Sequence, residues 1–192
     1  MLVEVIPYVP QFYVDIPNLA KVGTAWNGVD RVLYDIVNRF SIPQRKALEF
    51  GVQGGYSTSA LAHVFAEVIG IDTFIGDEHA GYHPDEFAEV SARMKSWPNV
   101  VLHQARYQDW IKFDTADYDL IHVDIVHTYT DTYQAGYWAC NHSPVVIFHD
   151  TIAFPEVMYA VTELAKDTQR TFYNYGKCEN SQHGLGILVQ QS

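Results

Sequence analysis

The chain has 192 residues, of which 48% are hydrophobic and 18% charged, so it can bury one core and is not expected to be disordered. Its formal net charge is −11 and it has no Lys/Arg cluster, which argues against nucleic acid as a partner. No apolar run approaches the roughly 18 residues of a membrane span, and we expect no signal peptide. A cytoplasmic protein without a membrane partner is therefore expected.

The N-terminal region is predicted to be extended at first and then helical. Residues 1–20 contain Pro7, Pro10 and Pro17, which favour an irregular path along the surface. Apolar residues recur at helical spacing over 29–40, and Pro43 ends that pattern. We interpret residues 1–45 as an N-terminal segment and helix packed on a domain at 46–192. Such a segment can form a lid or the contact of a homodimer.

Short apolar strands alternate with helices from residue 46 onward. Strands are predicted at 47–50, 68–72, 100–103, 119–124 and 145–148, helices at 57–68, 84–95, 129–140 and 156–166, and an edge pair at 171–173 and 186–189. Strands that are apolar throughout and separated by helices indicate a parallel sheet covered on both faces. The predicted fold is α/β: a single Rossmann-like doubly wound sheet, mostly parallel, with an antiparallel edge hairpin. Ligands of such sheets bind beyond the carboxyl ends of the strands.

The first predicted strand ends in a glycine-rich turn. Gly51 and Gly55 allow close approach of the backbone to a ligand, and Ser57 can cap the helix that follows. The spacing G-x-x-x-G differs from the G-x-G-x-x-G of dinucleotide enzymes, which argues against a nicotinamide-dependent oxidoreductase. Asp72 closes the second strand about 20 residues later, where a carboxylate can bind ribose hydroxyls or simply cap a helix.

Two further acids follow the fourth and fifth predicted strands. Asp124 and Asp150 have His127 and His149 close by in sequence. Carboxylates at neighbouring strand ends can share a divalent cation such as magnesium, or each can cap a helix. His127, with an ordinary pKa near ~6.5, can accept a proton from an acceptor hydroxyl or can be structural.

Five segments carry a resemblance to a known family: 47–57, 71–81, 119–129, 148–151 and 183–186. They resemble the class I S-adenosylmethionine-dependent methyltransferases, and in particular the short bacterial subgroup catalogued as methyltransferase-domain family twenty-four, found among sugar- and polysaccharide-modifying enzymes. The resemblance implies S-adenosylmethionine as cofactor and a small-molecule acceptor. It implies cofactor-binding roles for Glu49 at the amino-acid end, Gly51, Gly55, Ser57, Asp72 on the ribose, Thr73, Phe74 and Asp124, and acceptor-side catalytic roles for Asp124, His127 and Asp150.

The chain also departs from the pattern of that family on the acceptor side. Ile125 stands where a glycine is usual, Ala135 where an acid is common, and the turn before the fifth strand is shortened to Ser143-Pro144. The main hypothesis is an S-adenosylmethionine-dependent O-methyltransferase acting on a hydroxyl of a small molecule, with a sugar as the implied acceptor. The alternative is a catalytically silent S-adenosylmethionine-binding or assembly subunit of the same fold.

Overall fold

Eight strands in residues 3–176 and 183–191, the part of the chain that the computed structural model describes, form one sheet. The strands are β1 (Val5–Pro7), β2 (Lys46–Phe50), β3 (Glu67–Asp72), β4 (Val100–Gln104), β5 (Leu120–Val123), β6 (Val145–His149), β7 (Arg170–Tyr175) and β8 (Leu185–Gln190). The helices are α1 (Leu33–Arg39), α2 (Tyr56–Val64), α3 (Phe87–Met94), α4 (Tyr107–Trp110), α5 (Tyr129–His142) and α6 (Pro155–Asp167), and a 3-10 turn at Asp30–Val32 precedes α1.

The strand order is β1-β7-β8-β6-β5-β2-β3-β4. Within the described residues, β8 runs antiparallel to its neighbours β6 and β7, and the other neighbouring strands are parallel. The predicted fold, a mostly parallel Rossmann-like sheet with one antiparallel hairpin, is confirmed. The outermost position beside the hairpin belongs to β1, which was not predicted because it has only three residues and ends in proline.

The central strands are buried on both faces, which explains their unbroken apolar sequences. Every residue of β5 and β6 is buried, and the core clusters on the two faces of the sheet include Leu120 and Ile147 on one side and Ile121 and Phe148 on the other. Helix α2 ends at Val64, four residues before the predicted end, because the buried Phe65 already has an extended backbone and leads into β3.

The N-terminal segment is irregular, as predicted, but several of its apolar side chains are buried in the core. Tyr8, Ile16 and Trp26 belong to the main hydrophobic cluster. Asp35 of α1 holds the segment in place: its carboxylate accepts hydrogen bonds from the Tyr8 hydroxyl and from the Gln11 backbone N–H at 3.0 Å. The division of the chain at residue 45 stays a prediction.

The strand order reverses at β2, which lies between β3 and β5. The chain leaves β2 toward one side of the sheet and returns to β5 on the other, so the loops after these two strands meet at one edge. This switch point is where ligands of open α/β sheets bind. Among the described helices, none has the length and apolar character that crossing a membrane requires.

Candidate functional site

A cavity of about 930 Å³ opens at the carboxyl ends of the strands. The loops after β2, β3, β4, β5 and β6 line it, together with residues 22–26 of the N-terminal segment and His183. Single-ligand pockets span about 300–1,000 Å³, so this one lies at the large end of that range. Its volume is compatible with two small ligands side by side.

The glycine-rich turn after β2 lies directly against the end of β5. Gly51 has a φ of +91°, and a Cβ atom there would lie 1.6 Å from the carbonyl oxygen of Asp124. A side chain at residue 51 is therefore excluded both by the left-handed backbone and by the contact. The absence of a side chain brings the turn and Asp124 together on one wall of the cavity.

Asp72, at the end of β3, holds the same turn in place through hydrogen bonds. One of its carboxylate oxygens accepts the backbone N–H groups of Val52 and Gln53 at 2.8 and 2.7 Å, and the other accepts that of Phe74 at 2.7 Å. A carboxylate offers about four acceptor positions, and the fourth receives only the Thr73 hydroxyl at 3.5 Å, a long contact that a ligand group in the cavity can displace. The two elements that the sequence analysis placed around one ligand are thus in direct contact.

Two residues predicted to bind the cofactor do not line the cavity. Glu49 is fully buried, and its carboxylate accepts hydrogen bonds from Thr58 and from Nδ1 of His122, the latter at 2.9 Å. Gly55 begins α2 and faces the side chain of Met94. Direct contact of either residue with a ligand is therefore not supported by the geometry.

The other predicted cofactor residues do border the cavity: Gly51, Ser57, Asp72, Thr73, Phe74 and Asp124. Ser57 does not cap α2, since the N-cap residue is Gly55 and no side chain bonds to the first turn. The Phe74 ring packs on Phe87, with 5.1 Å between the ring centroids, so only part of it is available to a ligand.

Two acids and three histidines form a cluster, here called the acid–histidine cluster, at the other end of the cavity. Asp150 binds Nε2 of His127 at 2.6 Å with one oxygen and Nδ1 of His183 at 2.8 Å with the other. Nδ1 of His149 lies 3.2 Å from Asp150 and 3.4 Å from Asp124. The strand-end acids that were predicted from separate segments therefore meet at one place.

The acids and the histidines of this cluster stabilise each other's charged forms. Burial opposes a charge on His127 and His149, but hydrogen bonds and charge interactions with Asp124 and Asp150 outweigh it and raise the two pKa values to about 9 and about 10. Burial likewise opposes ionisation of the acids, yet the imidazoles lower the pKa of Asp150 to about 2 and hold the pKa of Asp124 far below its ordinary range. Near neutral pH the four groups form two carboxylates facing two imidazolium ions.

Three residues of this cluster could also hold a metal ion. One ligand atom each from Asp124, His127 and Asp150 lie within 4.8 Å of one another. Magnesium prefers oxygen ligands, whereas an imidazole nitrogen is more typical of transition metals, so the two carboxylates fit magnesium better than His127 does. The imidazoles and a cation would compete for the same carboxylate oxygens.

Sequence reasoning missed three residues of the site. His183 binds Asp150, and Nδ1 of His79 accepts the backbone N–H of His127 at 3.1 Å. Trp26, which lines the cavity, contacts His122 with 4.9 Å between ring centroids. His79 and His183 lie inside segments that carry the family resemblance, which was a usable signal, whereas nothing local in the sequence marks Trp26.

Comparison with known proteins agrees with this architecture. Residues 48–151 match a family model described as a methyltransferase domain. The protein y4gI of Sinorhizobium fredii is 30% identical over 160 residues, which cover 75% of this chain, and the chain spans only 17% of the length of that relative.

Solved structures with the same fold include two methyltransferases. An O-methyltransferase from Bacillus cereus in complex with SAH has a TM-score of 0.64 and 16% identity, over 89% of this chain and 83% of that one. The O-methyltransferase TomG of Streptomyces achromogenes, involved in tomaymycin synthesis and solved in complex with SAM, has a TM-score of 0.60 and 20% identity, over 92% of this chain and 84% of that one. At these identities the structures establish the fold. The family model matches more than half of the residues, and the chain therefore belongs to the methyltransferase domain family that its sequence segments resemble.

Proposed function

We propose that this chain is an S-adenosylmethionine-dependent O-methyltransferase whose acceptor is a small hydroxylated molecule such as a sugar. The observation that carries the proposal is the direct contact of the glycine-rich turn with both Asp72 and Asp124 along one wall of a cavity of about 930 Å³. One end of that cavity offers an adenosyl-binding arrangement, and the other end offers acids and histidines suited to a hydroxyl group.

The cofactor end is assigned to Gly51, Ser57, Asp72, Thr73 and Phe74. Asp72 binds three backbone N–H groups, and a ribose hydroxyl can take the fourth acceptor position from the Thr73 hydroxyl, which lies at 3.5 Å. The sulfonium of bound S-adenosylmethionine supplies an already reactive methyl group. The protein then contributes mainly alignment of the acceptor oxygen and removal of its proton.

Two routes can remove the acceptor proton. In the first, Nε2 of His127 takes the proton after the hydroxyl displaces the 2.6 Å contact between His127 and Asp150. Because the neighbouring acids raise the pKa of His127 to about 9 in spite of its burial, this route requires a pH high enough to leave the imidazole neutral. In the second, Asp124 and Asp150 would hold a divalent cation, which would lower the pKa of the hydroxyl.

The two routes predict opposite effects of a chelator. If a cation is used, treatment with EDTA abolishes methyl transfer and added magnesium restores it. If His127 alone acts, EDTA has no effect and His127→Ala removes activity. Titration of S-adenosylmethionine should be unchanged by EDTA in both cases, which controls for damage to the cofactor end.

Isothermal titration calorimetry with S-adenosylmethionine tests the proposal itself. We expect one cofactor per chain, and mass spectrometry of a panel of hydroxylated small molecules should show a product that has gained one methyl group. A folded protein that binds no S-adenosylmethionine would refute the proposal.

A catalytically silent subunit is the second candidate, and the state of His127 favours it. Its Nε2 is bound to Asp150, and its Nδ1 is buried without a partner among the described residues, so neither nitrogen is ready to accept a proton. This candidate predicts cofactor binding without turnover on any hydroxylated acceptor. It also predicts that His127→Ala leaves biological activity unchanged.

We extend the proposal to partners and location. The net charge of −11 supports a protein that does not bind nucleic acid, and we propose a cytoplasmic location without a membrane partner. A homodimer would be recognised by light scattering coupled to size-exclusion chromatography.

A further inference from the structure

Three buried nitrogen atoms below the cavity have no hydrogen-bond partner in the described part of the chain: Nε1 of Trp26, Nε2 of His122 and Nε2 of His149. The three residues are 1%, 0% and 3% exposed, so bulk solvent does not reach these atoms. Buried polar atoms without a partner are rare because their lost hydration is not replaced. Such atoms usually indicate an ordered water molecule or a ligand.

The three rings are neighbours. His122 of β5 pairs with Ile147 of β6, so His149, two residues further along β6, lies on the same face of the sheet. The ring of Trp26 covers both histidines, with centroid distances of 4.9 Å to His122 and 6.2 Å to His149. The indole of Trp26 is therefore the shared neighbour of the two histidine rings.

Hydrogen-bond chemistry selects water as the partner. The indole N–H of Trp26 can only donate. Nδ1 of His122 faces the carboxylate of Glu49 and donates to it, which leaves Nε2 as the acceptor of that ring. Nδ1 of His149 faces two carboxylates in the same way, and its Nε2 accepts or donates according to protonation state. One water, with two donors and two acceptors, satisfies all three atoms in either state, whereas a metal ion cannot be bound by an indole N–H.

We propose that one ordered water joins Trp26, His122 and His149, and that Glu49 and His122 are thereby positioning residues for the acceptor end of the site. The connection runs from Glu49 through His122 and the water to His149, which binds Asp124 and Asp150. The water link stands on the geometry alone, and the positioning role rests on the proposed function. Glu49 then acts on the acceptor end instead of holding the amino-acid end of the cofactor.

Long-range proton–nitrogen NMR spectra of histidine-labelled protein test the water link without any acceptor. Trp26→Phe keeps an aromatic ring and removes the N–H, so we expect the Nε2 signals of both His122 and His149 to shift. Trp97→Phe is the matched control, because the Trp97 indole lies 3.4 Å from Nε2 of His63 and that variant should shift His63 alone. If Trp26→Phe leaves the signals of both His122 and His149 unchanged, the water link is wrong.

Glu49→Gln tests the positioning role and provides a second variant should Trp26→Phe not fold. We expect the His122 and His149 signals to move together while the Kd for S-adenosylmethionine stays within about twofold of the original value. A His149 signal that does not move, with a Kd raised about tenfold or more, would instead assign Glu49 to the cofactor. If the unmodified protein binds no S-adenosylmethionine, the proposed function fails, and the NMR signals still decide the water link.

Discussion

Gly51 and Gly81 share a left-handed backbone, with φ values of +91° and +86°, but their surroundings differ. A Cβ atom at Gly51 would collide with the Asp124 carbonyl oxygen at 1.6 Å, whereas a Cβ atom at Gly81 would meet nothing within 4 Å. Comparing a substitution at Gly81 with the same substitution at Gly51 therefore separates two free-energy costs: that of the left-handed backbone and that of the contact with the Asp124 carbonyl.

Gly51→Ala is expected to lower the free energy of unfolding by more than about 3 kcal/mol, because backbone strain and overpacking add together. Gly81→Ala should lower it by only about 1–2 kcal/mol, the cost of the left-handed conformation alone. Urea denaturation measures both. Equal losses of unfolding free energy in the two variants would show that the contact between Gly51 and the Asp124 carbonyl is not close enough to exclude a side chain.

Asp72→Asn is expected to weaken S-adenosylmethionine binding about ten- to hundredfold, or about 1.4–2.7 kcal/mol. The reason is that an amide cannot accept three backbone N–H groups as the carboxylate does, so the turn loosens. Calorimetry measures the affinity. Asp109→Asn, at an exposed residue paired with Lys112, is the control and should leave the affinity unchanged. An unaltered affinity in Asp72→Asn would remove this residue from the cofactor end.

Among single residues, the strand-end acids could be predicted and the contacts around them could not. Asp72, Asp124 and Asp150 follow apolar strands, and parallel strands deliver their ends to one edge. Trp26 reaches that edge from an irregular part of the chain and no local pattern indicates it, whereas His183 lies in a segment that carries the family resemblance. The family resemblance implies a ligand contact for Glu49, but its partners Thr58 and His122 are set by packing between β2, α2 and β5.

At the level of helices and strands, the central strands could be placed to within one or two residues because burial on both faces leaves an unbroken apolar sequence. The short elements β1 and α4 were missed, since three or four residues give no periodicity. The sequence also does not reveal how neighbouring strands are joined at their amino ends. Asp119, just before β5, joins that strand to the start of β2. Its carboxylate accepts the backbone N–H groups of Arg45 and Lys46 at 2.9 and 3.0 Å and binds the Arg45 guanidinium at 2.7 Å.

Asp119→Asn is expected to lower the free energy of unfolding at about pH 7 by about 1–3 kcal/mol. Burial opposes ionisation of Asp119, but the hydrogen bonds from Arg45 and Lys46 outweigh it and lower its pKa. The stabilisation is therefore complete above the unfolded pKa of about 3.9 and is lost as the pH falls through the lower folded value. Urea denaturation between about pH 7 and about pH 3 should show the difference between the two proteins shrinking. A difference independent of pH would contradict this account.

At the scale of the whole molecule, binding of S-adenosylmethionine should raise the Tm of the protein. At a concentration about 100 times its Kd, S-adenosylmethionine should add about 2.7 kcal/mol. For a chain of this size that corresponds to a Tm increase of about 5–11 °C. Differential scanning fluorimetry measures it, with NADH as the control because the turn lacks the dinucleotide spacing. A larger shift with NADH would support the oxidoreductase hypothesis instead.

The close approach of Gly51 to the Asp124 carbonyl has a consequence for engineering this protein. Since not even a methyl group fits between the two, the spacing between the glycine-rich turn and the end of β5 is fixed by backbone and cannot be tuned by a side chain at residue 51. Residues 23–25 and 77–80 line the same cavity from irregular segments and are exposed or half-buried, so changes of side chain there disturb no strand. Libraries that aim to broaden the range of acceptors should vary those two segments and leave the junction of β2 and β5 untouched.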